Sequence, residues 1–152
     1  ERSCELRDSS NVTPQVFTLF NSTESMDRAV ALARRVLDET KGKDDSAAVE
    51  RLFQLAYGRS PEAEELAAAL EHWAKMTAEQ SKATVASPEY PAEVRREANE
   101  ENTGKIFSFT EKLFVYEDYV PDLQPGQVDA RTRGFGDLCL VIFNSNEFAY
   151  VY

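Results

Sequence analysis

The stretch DSAAVERLFQLAYGRSPEAEELAAALEHWAKMTAEQSK, residues 45–82, sets the expected fold. Val49, Leu52, Phe53 and Ala56 stand at i, i+3, i+4 and i+7, which is the spacing of one helical face. Asp44 or Asp45 starts that helix, and Tyr57-Gly58 ends it with Gly58 in the place of a left-handed C-cap. Ser60-Pro61 then opens a second helix, Ser60 as N-cap and Pro61 as first helical residue. Glu62 and Glu64 fall in its first turn, where the helix dipole favours acids. Ala63, Leu66, Leu70, Trp73 and Thr77 form its inner stripe. The whole stretch reads as a tight helical hairpin.

Working outward, Met26, Val30, Ala33 and Leu37, with Ala29, Leu32 and Val36 beside them, predict a helix from Thr23 to Glu39. Asn21 is its expected cap, with Glu24 in a box-like arrangement, and Lys41-Gly42-Lys43 breaks it. Before it, Thr13-Pro14 opens a short apolar turn through Val16, Phe17, Leu19 and Phe20. Near the other end, Asp129 caps a helix whose Phe135, Leu138, Cys139, Val141, Ile142 and Phe143 make it apolar nearly all round, so it is expected at the centre. Asn144-Ser145-Asn146 stops it; Phe148, Tyr150 and Tyr152 then form either an extended tail or a docked aromatic patch.

Between these blocks the pattern weakens. Residues 83–91 carry two prolines and read as a loop. Glu93–Asn102 is helix-permissive but offers only Val94 and Ala98 to an inner face. Ser108 and Glu111 have capping-box spacing before Leu113, Phe114, Tyr116 and Val120, which Pro121 interrupts, and the stretch Asp122–Gln127, with Pro125-Gly126, is rich in turn residues. The expectation is an all-α fold: one domain over 1–152, a compact bundle of about five or six helices, with 83–128 as an irregular, proline-containing insertion. No sheet is expected, because strict alternation is confined to Phe107/Phe109 and the tail.

The chain carries 27 acidic and 17 basic residues, a net charge of −10. That balance excludes binding to nucleic-acid phosphates or anionic membranes by general electrostatics. No apolar run reaches membrane-spanning length. Glu1 opens directly on charged residues without a signal peptide, and without an initiating Met the chain reads as part of something longer. Cys4 and Cys139 allow one disulfide, but no spacing rule favours it, and separate buried thiols are the plainer reading.

Chemistry-bearing motifs are few. His72 is the single histidine, set on a helix without a partner set, and reads as a surface or boundary residue. Gly134-Phe-Gly136 falls short of a dinucleotide fingerprint, with no third glycine and no preceding strand; a close-packed first helical turn explains it better. Glu117, Asp118, Asp122 and Asp129 cluster as acids do in any acidic chain, without a calcium-loop pattern. The sequons at Asn11 and Asn21 read as turn or cap residues. The sequence assigns no catalytic, cofactor-binding or metal-binding residue.

Four motifs in order carry a family resemblance. They are Cys4-x-x-Arg7-x-Ser9-Ser10-Asn11-x-Thr13-Pro14-Gln15 with Leu19-Phe20-Asn21-Ser22; Arg51 through Pro61 with Glu64-Glu65-Leu66; Tyr116 through Leu123 with Val128-Asp129-Ala130; and Asp137 through Phe148. Together they resemble a C-terminal domain of unknown function from planctomycete cytochrome-c-associated cell-envelope proteins. The resemblance implies an extracytoplasmic setting, in the periplasm or at the cell surface. It also implies that any haem belongs to upstream domains and that this chain holds no cofactor. It implies partners among other domains of the same protein; the acidic charge adds a cationic protein as an expected partner and argues against nucleic acid, and the lack of a long apolar run argues against membrane insertion.

Arg7 and Arg59 are the matched residues least explained by local structure; a guanidinium can tie a loop to carbonyls or carboxylates. Asp118, Asp129, Asp137, Cys4 and Cys139 complete the candidate set. The expected role is a non-catalytic accessory or protein-interaction module of a larger exported protein. One alternative is a substrate-contacting part of an extracytoplasmic hydrolase-like assembly, which requires Arg7, Arg59, Asp118 and Asp137 to converge. The other is an acidic docking domain for cytochrome c-type redox domains.

Overall fold

The computed structural model describes residues 21–87 and 89–149. The chain divides into two compact units, one of residues up to 86 with those from 122 onward, the other of residues 87–121. The first unit is helical. It holds α1 (Thr23–Glu39), α2 (Asp45–Tyr57), α3 (Ala63–Gln80), α4 (Ala130–Phe143) and the single turn α5 (Asn146–Ala149). α4 runs between α1 and α3 and makes its most extensive contacts with both. Thr132, Gly134, Phe135, Gly136, Leu138, Cys139, Leu140 and Ile142 are buried along it, as expected for a helix apolar on most sides. Ala29, Val30, Ala33 and Val36 of α1, Val49, Leu52 and Phe53 of α2, and Ala69 and Trp73 of α3 complete the core. Trp73 and Phe135 lie within it with ring centroids 4.5 Å apart.

Local signals explain most boundaries. Asp44 caps α2 by accepting from Ala47 N at 3.1 Å, and Asp129 caps α4 by accepting from Thr132 N at 2.7 Å. Gly58 ends α2 at φ +70°, where an L side chain would be strained. Two caps differ from expectation. The cap of α1 is Ser22, whose Oγ accepts from Ser25 N, while Glu24 accepts from the same hydroxyl. The cap of α3 is Glu62, not Ser60; Glu62 N donates to Glu65 at 2.7 Å. Glu65, the third residue of this helix, is also the carboxylate that Arg59 grips.

Gly134 is required by contact. A β-carbon there would lie 2.5 Å from Thr77 N and 2.8 Å from its Cα. α3 and α4 therefore cross backbone to backbone at this point, and the Gly134-Phe-Gly136 motif belongs to helix packing.

The all-α expectation is overturned by the second unit. Among the described residues the structure is 57% helical and also holds a two-stranded antiparallel sheet, so the fold is mixed. β1 (Glu93–Asn99) replaces the helix expected at 93–102, and β2 (Ile106–Lys112) occupies the expected capping box. Ser108 instead accepts from Arg95 Nη2 at 2.9 Å, and Glu111 pairs with Arg96. The physical reason is register. Val94 pairs with Glu111, Arg96 with Phe109 and Ala98 with Phe107, so Val94, Ala98, Phe107 and Phe109 share one face. Val94 and Ala98 stand four apart, which suits a helix equally well, and only the non-local pairing separates the two readings. Gly104, at φ +66°, helps close the 100–105 turn, with its N–H on Glu100 O.

The expected short helix at 14–20, the tail at Tyr150 and Tyr152, and the sequon at Asn11 lie outside the described residues. Phe148 falls within α5 and packs against Phe143 with centroids 5.1 Å apart.

Candidate functional site

The polar clusters of the helical unit fasten elements together. Arg59, in the turn between α2 and α3, donates to both oxygens of Glu65 at 2.7 Å and to both oxygens of Glu147 at 2.7 and 2.8 Å. Its guanidinium also lies 5.6 Å over Phe53 and 5.4 Å over Tyr57. Arg59 holds Glu65 down to about 2, and two carboxylates hold Arg59 firmly protonated. Tyr57 adds a bond to Ser145 Oγ at 2.8 Å, so the chain around α5 is tied to the α2–α3 turn twice.

Arg131 sits 4.3 Å over the Trp73 ring and grips Asp45 with both terminal nitrogens, while Trp73 Nε1 donates back to Arg131 O. Arg133 donates to Val128 O, Pro125 O, Gln80 O and Gln80 Oε1, and Gln80 Nε2 donates to Asp137 at 2.9 Å. This set locks the end of α3 and the turn at Pro125–Gln127 onto α4. Sequence reading missed Arg131, Arg133, Gln80 and Gln124, each of which has a partner 53 to 97 residues away.

The candidate residues therefore separate. Arg59 and Asp137 are committed to different partners, Asp129 is a helix cap, and Asp118 belongs to the hairpin unit. The Asp129 carboxyl is held below its ordinary value first by its bonds to Thr132. Cys139 is buried and free, and burial pushes its thiol far up, away from nucleophilic use. Cys4 and Arg7 lie outside the described residues. His72 is half-buried, with Nε2 enclosed and without a partner. Among the described residues, no three His, Cys, Asp or Glu side chains come together to hold a metal ion. A groove of about 430 Å³ runs past Lys41 and Lys43, but its acids are in use: Asp44 and Asp129 as caps, Asp38 with Arg34.

The hairpin unit is built differently. It contributes no buried hydrophobic side chain among the described residues. It carries seven of the nine exposed large ones: Ile106, Phe107, Phe109, Phe114, Val115, Tyr119 and Val120. Phe114, Val115 and Val120 are 73, 82 and 86% exposed. Phe107 and Phe109 lie along one face of β2 with tilted rings 6.0 Å apart. Beyond β2 the chain makes a 3₁₀ turn at Phe114–Tyr116, and Tyr90, Tyr116 and Tyr119 cluster with centroids 4.9 to 6.1 Å apart.

Around these rings, residues 87–121 carry eight acidic and four basic side chains. The hollow by Glu93, Lys112 and Phe114 measures only about 60 Å³. Small-molecule pockets run to roughly 300–1,000 Å³, well above the size of this hollow. The signal in the sequence is the apolar content of 106–120, which reads as helix interior as long as its pairing is unseen.

A family model described as PSD1, protein of unknown function (DUF1553), matches residues 1–73. That span takes in α1, α2 and the first part of α3 and stops short of the hairpin unit. No curated protein and no solved structure matches the chain.

Proposed function

We propose that this chain is a non-catalytic interaction module of a larger exported protein, and that residues 87–121 carry its contact surface for a basic-faced domain of that same protein. The observation that supports it most is the concentration of exposed apolar side chains in the one unit that buries none. Exposed patches of this kind, rimmed by charge, mark interaction sites on soluble proteins. The acidic excess of the unit selects a basic partner by charge complementarity. The four-motif resemblance to planctomycete cytochrome-c-associated envelope proteins supports the extracytoplasmic setting. A c-type haem domain with a basic face is the partner it suggests.

The test is calorimetric titration of this chain against the remainder of its parent polypeptide. Saturable binding is expected, weakening as salt rises from about 0.05 to 0.5 M because exposed charges are screened. Phe107→Ser with Phe109→Ser should abolish it while leaving the helical circular dichroism intact. Absence of binding, or equal affinity in the double variant, would overturn the proposal.

A further inference from the structure

Asp27 lies on the inner face of α1, three residues before Val30, and is 7% exposed. Gln124, two residues into the segment returning from the hairpin unit, is 2% exposed. Gln124 Nε2 donates to Asp27 Oδ2 at 3.0 Å and to Asp122 O at 3.2 Å, which uses both of its hydrogens. Two atoms are left over: Asp27 Oδ1 and Gln124 Oε1 are both enclosed and without a partner.

Both are acceptors if Asp27 is ionised, and a buried acceptor without a donor is costly. Among the described residues no cation answers them. Arg133, on α4 against the same turn, is committed to Pro125 O, Val128 O and Gln80. Glu24 on α1 and Asp122 on the return segment are the charged groups bearing on Asp27, and both are acidic. A metal has no third ligand among the described residues. One proton supplies the missing donor. With a proton on Asp27 that side chain gains a donor, and Gln124 Oε1 is the enclosed acceptor left on its bonded partner.

We infer that Asp27, in its protonated form, donates to Gln124 Oε1, and that this acid–amide pair is a proton-dependent clasp holding the return segment to α1. Burial is the largest influence on the carboxyl and raises it above its ordinary value; Asp122 and Glu24 add to that, against the lowering effect of the Gln124 bond. A carboxyl raised on folding contributes stability that is full below its unfolded value and is lost as pH rises through its folded value. The clasp therefore loosens upward in pH, opposite to the Arg59 clamp.

The test is a carbon-13 NMR titration of the whole chain, tracking Asp27 Cγ and the Gln124 side-chain amide. Both should move together, with a midpoint above the ordinary aspartate value. Asp27→Asn replaces O–H with N–H, so it should keep both bonds and flatten the response of the Gln124 amide. The wild-type titration decides alone if that variant fails to fold. An Asp27 midpoint at or below the ordinary value, or a Gln124 amide that ignores the Asp27 transition, would overturn the inference.

Discussion

The helical unit and the hairpin unit share one chain and obey opposite rules. In the helical unit the apolar side chains turn inward: every buried hydrophobic of the described residues is there, gathered around α4. In the hairpin unit they turn outward, onto a two-stranded sheet and the irregular segment after it. A lone two-stranded hairpin is marginally stable in water, so the second unit depends on its turn, its cross-strand pairs and its tyrosine cluster. The difference is one of packing: the first unit buries its apolar side chains among themselves, and the second leaves its own exposed.

The sharpest way to break this contrast is at the core. Phe135→Ala empties the contact with Trp73 and should cost about 3–5 kcal/mol in denaturant unfolding. Gly134→Ala forces α3 and α4 apart at Thr77 and should cost about 1–3 kcal/mol by the same measurement. Acid gives a smaller and more local effect. Glu65 is depressed on folding, so what it contributes is full above the ordinary glutamate value and lost as pH falls toward about 2. Arg59 also holds the Glu147 carboxyl below its ordinary value, so as acid protonates Glu147 α5 should detach from Arg59 before the core unfolds, seen as loss of the Glu147 NMR contacts. Smallest of all, Phe107→Ser and Phe109→Ser should each change global stability by no more than about 0.5 kcal/mol, since these rings belong to no buried cluster. A large loss there would mean that the hairpin face is part of the fold.

The same contrast explains how much was legible in the sequence. α1 runs over Thr23–Glu39 as its apolar stripe indicates, and Gly58 and Asp129 take the cap roles their residue types suggest. Those signals are local, carried within a turn or two of helix. The strands were not legible, because Val94 and Ala98 fit a helix until Phe107 and Phe109 are paired across from them. The fasteners were illegible for the same reason: Arg59 meets Glu147, and Gln124 meets Asp27, across 88 and 97 residues. Asp27 left one trace, an acid on the apolar stripe three residues before Val30.

Native-state hydrogen exchange of the free chain tests most directly whether the two units differ as described. Amides of α4 should exchange only through global unfolding, whereas the ladder between Glu93–Asn99 and Ile106–Lys112 should open at far lower free energy. Equal protection of the strands and α4 would contradict this, showing that the hairpin shares the core's stability and that its aromatic face is not spare surface.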